Sequence, residues 1–179
     1  MQAFLEADPD HRPPAEVRIR ILGRADLPVF ADHLAKLDLR ARADRFNGAV
    51  DDDRLAEYAA QSLRPGVLVV AAEHGADVIG IAELHPVAHD SGELAFSVAE
   101  GWRGRGVGAA LFALIVEAAW SRGYDELLVT THPGNEAMKA LARKFGAGLR
   151  FESGESVGRV RLDAMRMLDA AAEAPRRRG

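Results

Sequence analysis

The 179-residue sequence contains no cysteine, which excludes disulfide bonds, thiolate metal ligands and a cysteine nucleophile. Because an acyl-cysteine cannot form, any group transfer by this chain is expected to be direct rather than through such an intermediate. The N-terminus has acidic residues and prolines where a signal peptide has basic and then apolar residues. Together these absences predict a cytoplasmic protein.

Long apolar runs and a large net charge are also missing. No run approaches the ~20 apolar residues that span a bilayer. A formal net charge of −4 gives no electrostatic reason to expect binding to nucleic acid or to an anionic membrane. His85 and His89 have a spacing that suggests a metal site, but no helix or further ligand accompanies them, so we predict no metal.

The length of the chain predicts a single domain, and an apolar fraction of 48% is ordinary for a globular protein with a core. Residues 1–14 are polar and proline-rich, and we expect a flexible leader. Residues 166–179 are rich in alanine, acidic residues and arginine, and we expect a flexible tail without function. The folded domain is therefore predicted over residues 15–165.

The apolar pattern predicts an α/β fold. Helices are expected over 27–37, with Asp26 as the N-cap, and over 51–63, with a charged and irregular segment, 38–50, between them. The other elements follow from alternating or continuous apolar runs bounded by turn residues. They are strands at 17–21, 67–72, 78–84, 92–98 and 126–131, helices at 109–122 and 135–145, and a final hairpin of 147–151 and 157–162.

Residues 92–123 carry the strongest functional pattern. A short apolar strand leads into an arginine- and glycine-rich turn, 102–108, and then into a helix that ends at Gly123. The first N–H groups of a helix have no partner within it and attract anions. Glycines let the backbone approach a phosphate, and Arg103 and Arg105 add positive charge. The pattern therefore predicts an anion-binding site.

Two other phosphate-binding loops fit this turn less well. A P-loop requires lysine and then serine or threonine, where this chain has Ala109 and Ala110. The dinucleotide fingerprint fits Gly104, Gly106 and Ala109 by spacing, but it predicts an acid at the end of the next strand, which this chain lacks. A glycine-rich turn without any ligand is the remaining alternative.

Glu93 opens the strand before this turn, on the same face as Ala95 and Ser97. A carboxylate on an otherwise small, apolar strand face is costly when it is buried without a purpose. Such a group can accept the proton that an ammonium must lose before its nitrogen attacks. A solvent-facing glutamate at the edge of a turn is an equally good interpretation of the sequence alone.

Arg103, Gly106 and Gly108 fill the motif that binds the acetyl-CoA pyrophosphate in the GNAT superfamily of N-acetyltransferases, and the order of predicted elements is similar to that of this family. The resemblance implies a mixed, mostly antiparallel seven-stranded sheet with helices on both faces, splayed between strands 4 and 5. It also implies that the pantetheine arm pairs with the freed backbone of strand 4, where the Val98 N–H polarises the thioester carbonyl.

Residues 93–98, 102–108 and 135–146 resemble the catalytic domain of the Pat-type protein lysine acetyltransferases. In that group a glutamate at the position of Glu93 is the general base. An upstream Arg-Phe pair of that group resembles Arg45 and Phe46. Many other family members have a tyrosine as general acid where this chain has Ala142, and the Pat-type group lacks that tyrosine too.

The resemblance implies cofactor contacts from the strand, the turn and the second motif. The residues are Phe96, Val98, Arg103, Gly104, Arg105, Gly106, Val107, Gly108, Ala109, Asn135 and Met138. Glu83 is expected to line the acceptor pocket, and His132 to be a second base, a water-holding group or a loop residue without a role.

We therefore expect direct transfer of an acetyl group from acetyl-CoA, the co-substrate, to a primary amine in a ternary complex, without a metal. The acceptor is a protein lysine or a small molecule such as an antibiotic or a polyamine. A non-catalytic acyl-CoA sensor is the alternative from another class. The sequence is also compatible with a homodimer.

Overall fold

The computed structural model describes residues 13–46, 48 and 50–162. The predicted tail at 166–179 lies outside the described residues, as does the predicted leader apart from its last two residues.

The described chain forms one sheet of seven strands with five α-helices. The strands are β1 (Arg18–Ile21), β2 (Leu68–His74), β3 (Asp77–Pro86), β4 (Ser91–Val98), β5 (Glu126–Thr131), β6 (Gly148–Glu152) and β7 (Glu155–Arg161). The helices are α1 (Leu27–Ala35), α2 (Leu39–Phe46), α3 (Asp52–Ser62), α4 (Val107–Ser121) and α5 (Glu136–Lys144). The predicted α/β class is confirmed.

The strands lie in the order β1-β2-β3-β4-β5-β7-β6. All neighbours are antiparallel except β4 and β5, which are parallel and pair only from Ser91 opposite Glu126 to Leu94 opposite Val129. On its other side β4 stays paired with β3 as far as Val98. The last four residues of β4 therefore have no partner in β5, which confirms the predicted splay between strands 4 and 5.

Each face of the sheet packs on its own hydrophobic core. On one face, α4 and α5 cover a core that includes a stack of Phe96, Phe112 and Phe145, with ring centroids 5.0 and 4.2 Å apart along the stack. On the other face, Phe30 of α1 and Leu55 of α3 pack in a separate core. In β4, Leu94, Phe96 and Val98 lie on alternate positions and all face the first core. In β3, Ile81 belongs to the second core, and its neighbour Ala82 belongs to the first.

The central helix α4 is apolar on nearly its whole circumference, as expected for a helix buried between a sheet and other elements. It ends as the sequence predicts. Gly123 has φ 82°, its N–H donates to the Trp120 carbonyl at 2.9 Å, and the Tyr124 N–H donates to the Ala119 carbonyl at 3.1 Å. These two bonds form a Schellman motif, which requires the left-handed residue that glycine supplies.

Two local predictions are wrong. The charged segment 38–50 contains the helix α2. Ala41 and Phe46 pack partly against the second core, but most of the other residues of this helix are charged, so its apolar stripe is too short to reveal it. The Asp38 carboxylate accepts a hydrogen bond from the Ala41 N–H at 2.9 Å near its start. Asp26 does stand before α1, but its carboxylate bonds backward, to the Gly23 N–H at 2.8 Å, and does not cap the helix.

The packing around Gly92 yields a stability prediction. A Cβ at this position would lie 2.5 Å from Cδ1 of Leu84 and 3.3 Å from the His85 carbonyl oxygen, and Leu84 is fully buried. We expect Gly92→Ala to lower the free energy of unfolding by about 1–3 kcal/mol in urea denaturation. Gly148→Ala is the control, because no atom lies within 4 Å of a Cβ there. Equal stability of the two variants would contradict this packing.

Candidate active site

The splay between β4 and β5 opens a cleft of about 1070 Å³. Its walls come from β4, β5, the glycine-rich turn and α5, with α2 and α3 at one end. The cleft brings together most of the residues that the sequence predicts as a site. These are Glu93, Phe96, Val98, Arg103, Gly104, Gly106, Gly108, Ala109, Asn135 and Met138.

The glycine-rich turn presents the start of α4 to this cleft. Gly104 and Gly106 have φ values of 70° and 86°, which glycine adopts without strain. Gly106 stands at the N-cap position, and the first backbone bond into the helix runs from the Ala110 N–H to the Gly106 carbonyl at 3.0 Å. The three N–H groups of residues 107–109 precede it, and no side chain in the described part of the chain caps them. Such uncapped amides form an anion-binding position.

Two predicted residues of this turn do not line the cleft with their side chains. Val107 is 1% exposed and belongs to the core, so only its backbone N–H is available to a ligand. The Arg105 guanidinium lies over the Trp102 ring, 5.1 Å from the ring centroid. This contact holds the arginine beside the turn and leaves its charge near the anion-binding position.

Arg103 ties three elements together. Its Nε donates to the Val98 carbonyl at 3.1 Å, and its guanidinium pairs with the Asp38 carboxylate just before α2. The Ala41 N–H and Arg103 both favour the ionised carboxylate and so lower the pKa of Asp38. Arg103 therefore links the turn to the end of β4 and to α2, in addition to lining the cleft.

The second predicted motif also has structural roles. The Asn135 side-chain oxygen accepts a hydrogen bond from the Met138 N–H at 3.0 Å and caps α5. His132 Nδ1 accepts a hydrogen bond from the Gly134 N–H at 3.0 Å, which stabilises the turn before that helix. Ala142 is fully buried and carries no hydroxyl group.

Thr131 is a residue of the cleft that the sequence analysis missed. It ends β5, lines the cleft and is 5% exposed. Its hydroxyl is buried and has no hydrogen-bond partner among the described residues. A buried hydroxyl without a partner is costly, so it marks a position where a ligand atom would gain a hydrogen bond.

Glu93 is half-buried and lies on the wall of the cleft. Its carboxylate makes no hydrogen bond or ion pair with any residue that the structure describes. In the β3–β4 ladder it stands directly opposite His85. Glu93 therefore has the exposure and the freedom that a proton-accepting group in a cleft requires.

A network of four side chains, the Glu83 cluster, lies beside Glu93 on the same face of the sheet. Its centre is Glu83 of β3, which is 1% exposed. One carboxylate oxygen accepts from Arg45 of α2 at 2.7 Å. The other accepts from the Tyr58 hydroxyl of α3 at 2.8 Å and lies 3.0 Å from Nε2 of His85. Arg45 also donates to Tyr58.

In the Glu83 cluster, a neighbouring positive charge and hydrogen bonds offset the cost of burying the Glu83 carboxylate. Burial alone would raise the pKa of Glu83, but the positive charge of Arg45 and the hydrogen bonds from His85 and Arg45 bring it down to about 2. Burial, and then the charge of Glu83, raises the pKa of Tyr58 to about 12. The cluster is therefore an ionised carboxylate paired with a guanidinium and a neutral phenol.

Glu83 was expected to line the acceptor pocket, and this expectation needs correction. The carboxylate is buried behind the cleft wall, and the surface residues are Arg45, Phe46, Tyr58 and His85. Phe46 packs edge-on against Tyr58 with ring centroids 5.1 Å apart. The sequence held one signal for this cluster, since a carboxylate within the apolar strand of residues 78–84 must find a buried partner. It could not identify that partner, because α2 and α3 reach Glu83 only through tertiary packing.

The described residues, 13–46, 48 and 50–162, contain neither a metal-binding cluster nor a membrane-spanning helix. No three histidine, aspartate or glutamate side chains gather there as a metal-binding group. Within the same part of the chain, no helix has both the length and the apolar character needed to cross a membrane.

A sequence model of the acetyltransferase (GNAT) family matches residues 33–147. No curated protein sequence matches the chain. Among solved structures, the GNAT domain of S. lividans PAT aligns with a TM-score of 0.71 and 20% identity, covering 80% of this chain and 89% of that one. The yncA protein of Salmonella typhimurium, solved with its cofactor acetyl-CoA, gives a TM-score of 0.63, 21% identity and coverages of 83% and 95%. These two similarities show the fold.

A third solved structure has a higher identity. The ribosomal-protein-alanine N-acetyltransferase of Brucella melitensis is 27% identical, with a TM-score of 0.59, and the alignment covers 79% of this chain and 96% of that one. The three alignments therefore show a shared fold over about 80% of this chain.

The charge compensation at Glu83 predicts a pH-dependent stability. Because its pKa is lowered to about 2, its stabilisation is fully present above the ordinary value of 4.5 and is lost as the pH falls from there towards 2. The total is about 3 kcal/mol by the linkage relation.

We expect Glu83→Gln to flatten the fall of the unfolding free energy between pH 4.5 and 2, measured by urea denaturation. At pH 7 the same variant should lose about 3–5 kcal/mol, because it leaves Arg45 buried without its partner charge. Glu57→Gln, an exposed change on α3, is the matched control. If the unfolding free energy of Glu83→Gln fell between pH 4.5 and 2 as steeply as that of the wild-type protein, the loss of stability in acid would come from another group.

Proposed function

The chain belongs to the acetyltransferase (GNAT) family, and from this premise we propose that it transfers an acetyl group from acetyl-CoA directly to a primary amine in a ternary complex. One observation carries the proposal: the unpaired end of β4 leads straight to the uncapped start of α4. An extended arm with a diphosphate at one end fits this arrangement, because the strand offers a backbone edge and the helix offers amides to an anion.

The turn and the first residues of α4 hold the diphosphate in this proposal. The N–H groups of Val107, Gly108 and Ala109 point into the position that an anion would occupy. Gly104 and Gly106 allow a close approach, and Arg105 supplies positive charge from its place on Trp102. No metal is required, since the helix start and the arginine compensate the negative charge.

The pantetheine arm pairs with β4 between Ala95 and Val98. The Ala99 N–H bonds to the Ile79 carbonyl of β3, so the backbone groups of Val98 and Phe96, one and three positions earlier, face the open side of the ladder. The Val98 N–H then polarises the thioester carbonyl. Asn135 fixes the start of α5, and Met138 lines the arm's path with apolar surface. The Thr131 hydroxyl offers the arm one further hydrogen bond.

Glu93 is the general base in this mechanism. The acceptor enters from the face covered by α2 and α3 and loses a proton to the Glu93 carboxylate, directly or through water. Its nitrogen then attacks the thioester carbon, a C–N bond forms, the C–S bond breaks, and CoA leaves as a thiolate. A thiol has a pKa of ~8.5, so the thiolate is a fair leaving group and solvent can protonate it in place of a tyrosine at Ala142.

The acceptor amine is proposed as a protein lysine, in keeping with the similarity to S. lividans PAT. The Brucella melitensis protein is named for transfer to an alanine of a ribosomal protein, so a shared fold is compatible with more than one acceptor. A small amine such as a polyamine is the second choice. The buried Ala142 also favours a non-catalytic acyl-CoA sensor as the alternative from another class, since it provides no general acid.

We expect Glu93→Gln to lower kcat by about 100-fold or more, because a positioned general base contributes 10²–10⁴-fold. Affinity for acetyl-CoA should stay within about twofold, since Glu93 lies away from the diphosphate position. Release of free thiol over a panel of amines and lysine peptides measures the first quantity, and calorimetry measures the second.

Glu100→Gln, an exposed carboxylate after β4, is the control for this experiment. Unchanged kcat in Glu93→Gln would remove Glu93 from the proposed chemistry. Tight binding of acetyl-CoA without thiol release for any acceptor would instead favour the sensor.

The diphosphate position predicts a second binding result. Arg105→Ala should weaken CoA binding about tenfold, the effect of losing one charge-assisted hydrogen bond. Pantetheine, which has no diphosphate, should bind with equal affinity to Arg105→Ala and to the wild-type protein. Arg122→Ala removes an exposed arginine from the opposite end of α4 and should leave CoA affinity unchanged. Calorimetry at two salt concentrations measures the CoA affinity of both variants. An equal loss of CoA affinity in Arg105→Ala and Arg122→Ala would indicate a non-specific charge effect.

A further inference from the structure

The two ring nitrogens of His85 differ: Nε2 contacts Glu83, and Nδ1 has no hydrogen-bond partner among the residues that the structure describes. Its Nε2 lies 3.0 Å from a carboxylate oxygen of Glu83, and an ionised carboxylate can only accept hydrogen bonds. Nε2 must therefore carry the hydrogen and donate it. In the neutral ring this leaves Nδ1 with a lone pair, available to take up a proton.

The position of His85 places its side chain on the same face of the sheet as the proposed base. His85 and Glu93 are directly opposite in the β3–β4 ladder, and such pairs have Cβ atoms about 5 Å apart on one face of the sheet. The His85 side chain is 24% exposed and lines the cleft. It thus lies between the buried charges of the Glu83 cluster and the solvent that fills the cleft.

Charged and titratable groups face His85 from every element packed around it. Glu83 lies beside it on β3 and Glu93 opposite it on β4. Tyr58 approaches from α3, with its hydroxyl 3.4 Å from Nε2, and Arg45 from α2. Glu83 and Arg45 neutralise each other, so Glu93 is the remaining carboxylate that would stabilise an imidazolium at this position.

We propose that His85 relays the proton of the acceptor amine. The relay rests on the proposed function. It begins when Glu93 has received a proton from the acceptor ammonium. The proton passes from the Glu93 carboxyl through a water molecule of the cleft to Nδ1 of His85, because the two side chains share no direct hydrogen bond, and the imidazolium then releases it to solvent. Glu93 is restored as a carboxylate, and no bond other than those to the proton is made or broken. Glu83 holds the ring in the tautomer that this relay requires.

A structural role alone does not account for the location of His85. Glu83 already accepts hydrogen bonds from Arg45 and Tyr58, and an amide side chain could supply the third donor equally well. An amide, however, cannot take up a proton near neutral pH. Replacing His85 by an amide residue therefore distinguishes a proton relay from a purely structural hydrogen-bond donor.

His85→Gln keeps an N–H donor for Glu83 and removes the proton acceptor. We expect kcat/KM for the acceptor amine to fall about 10–100-fold at pH 7, and the pH–rate profile to lose one of its ionisations. Calorimetric CoA affinity and the melting temperature should match those of the unchanged protein. His89→Gln, in the exposed β3–β4 turn, is the matched control. A His85→Gln rate within twofold, with the pH profile unchanged, would overturn the relay.

A measurement on the free protein tests the same inference without activity. Nitrogen-15 NMR of the histidine rings should show that the neutral His85 ring carries its hydrogen on Nε2 and leaves Nδ1 with a lone pair. The opposite tautomer would contradict the relay even if His85→Gln failed to fold.

These results separate the relay from the proposed function. If Glu93→Gln loses activity while His85→Gln retains it, the acetyltransferase mechanism stands and the relay falls. If the unchanged protein transfers acetyl groups to no amine, the proposed function falls first, and the relay falls with it.

Discussion

The early end of the β4–β5 ladder is the constraint on which the rest of the structure depends. The two parallel strands share hydrogen bonds only as far as Leu94 and Val129, although β4 continues to Val98 on its β3 side. Backbone polar groups that lack a partner in a sheet interior carry a free-energy cost, so this gap must be filled by water or by a ligand. Holding it open requires rigid walls, and the phenylalanine stack under β4 supplies one of them.

The two ends of the cleft use different physical devices. Near α4 the charge-binding groups are backbone amides, which need no compensating charge and add no ionisable group. Near α2 and α3 they are side chains, and the buried carboxylate of Glu83 is stable only because Arg45, Tyr58 and His85 surround it. The first end is therefore insensitive to pH across the neutral range, whereas the second consists of groups whose protonation depends on one another.

Much of this could be predicted from the sequence, and the exceptions have a common cause. The central helix and its Gly123 end follow from local patterns in residues 92–123, and the splay was implied by the family resemblance that the motif in those residues carries. The helix α2 was missed because most of its residues are charged and its apolar stripe is short. The backward bond of Asp26 was missed because its partner is set by the turn at Gly23. The Glu83 cluster joins α2, α3 and β3, which are distant in sequence, so no local pattern connects Arg45, Tyr58 and His85.

The period-2 alternation of β4 has a consequence for how such a protein can change. Leu94 packs in one core while Glu93 and His85 face the other side, and the open backbone edge begins one residue further on. Deleting or inserting a single residue in β4 would exchange the two faces and displace this edge at once. Point substitutions leave the alternation intact. New acceptor preferences are therefore accessible through replacements in α2, α3 and the loops. Insertions and deletions in β4 are not tolerated in the same way, because they would exchange its two faces.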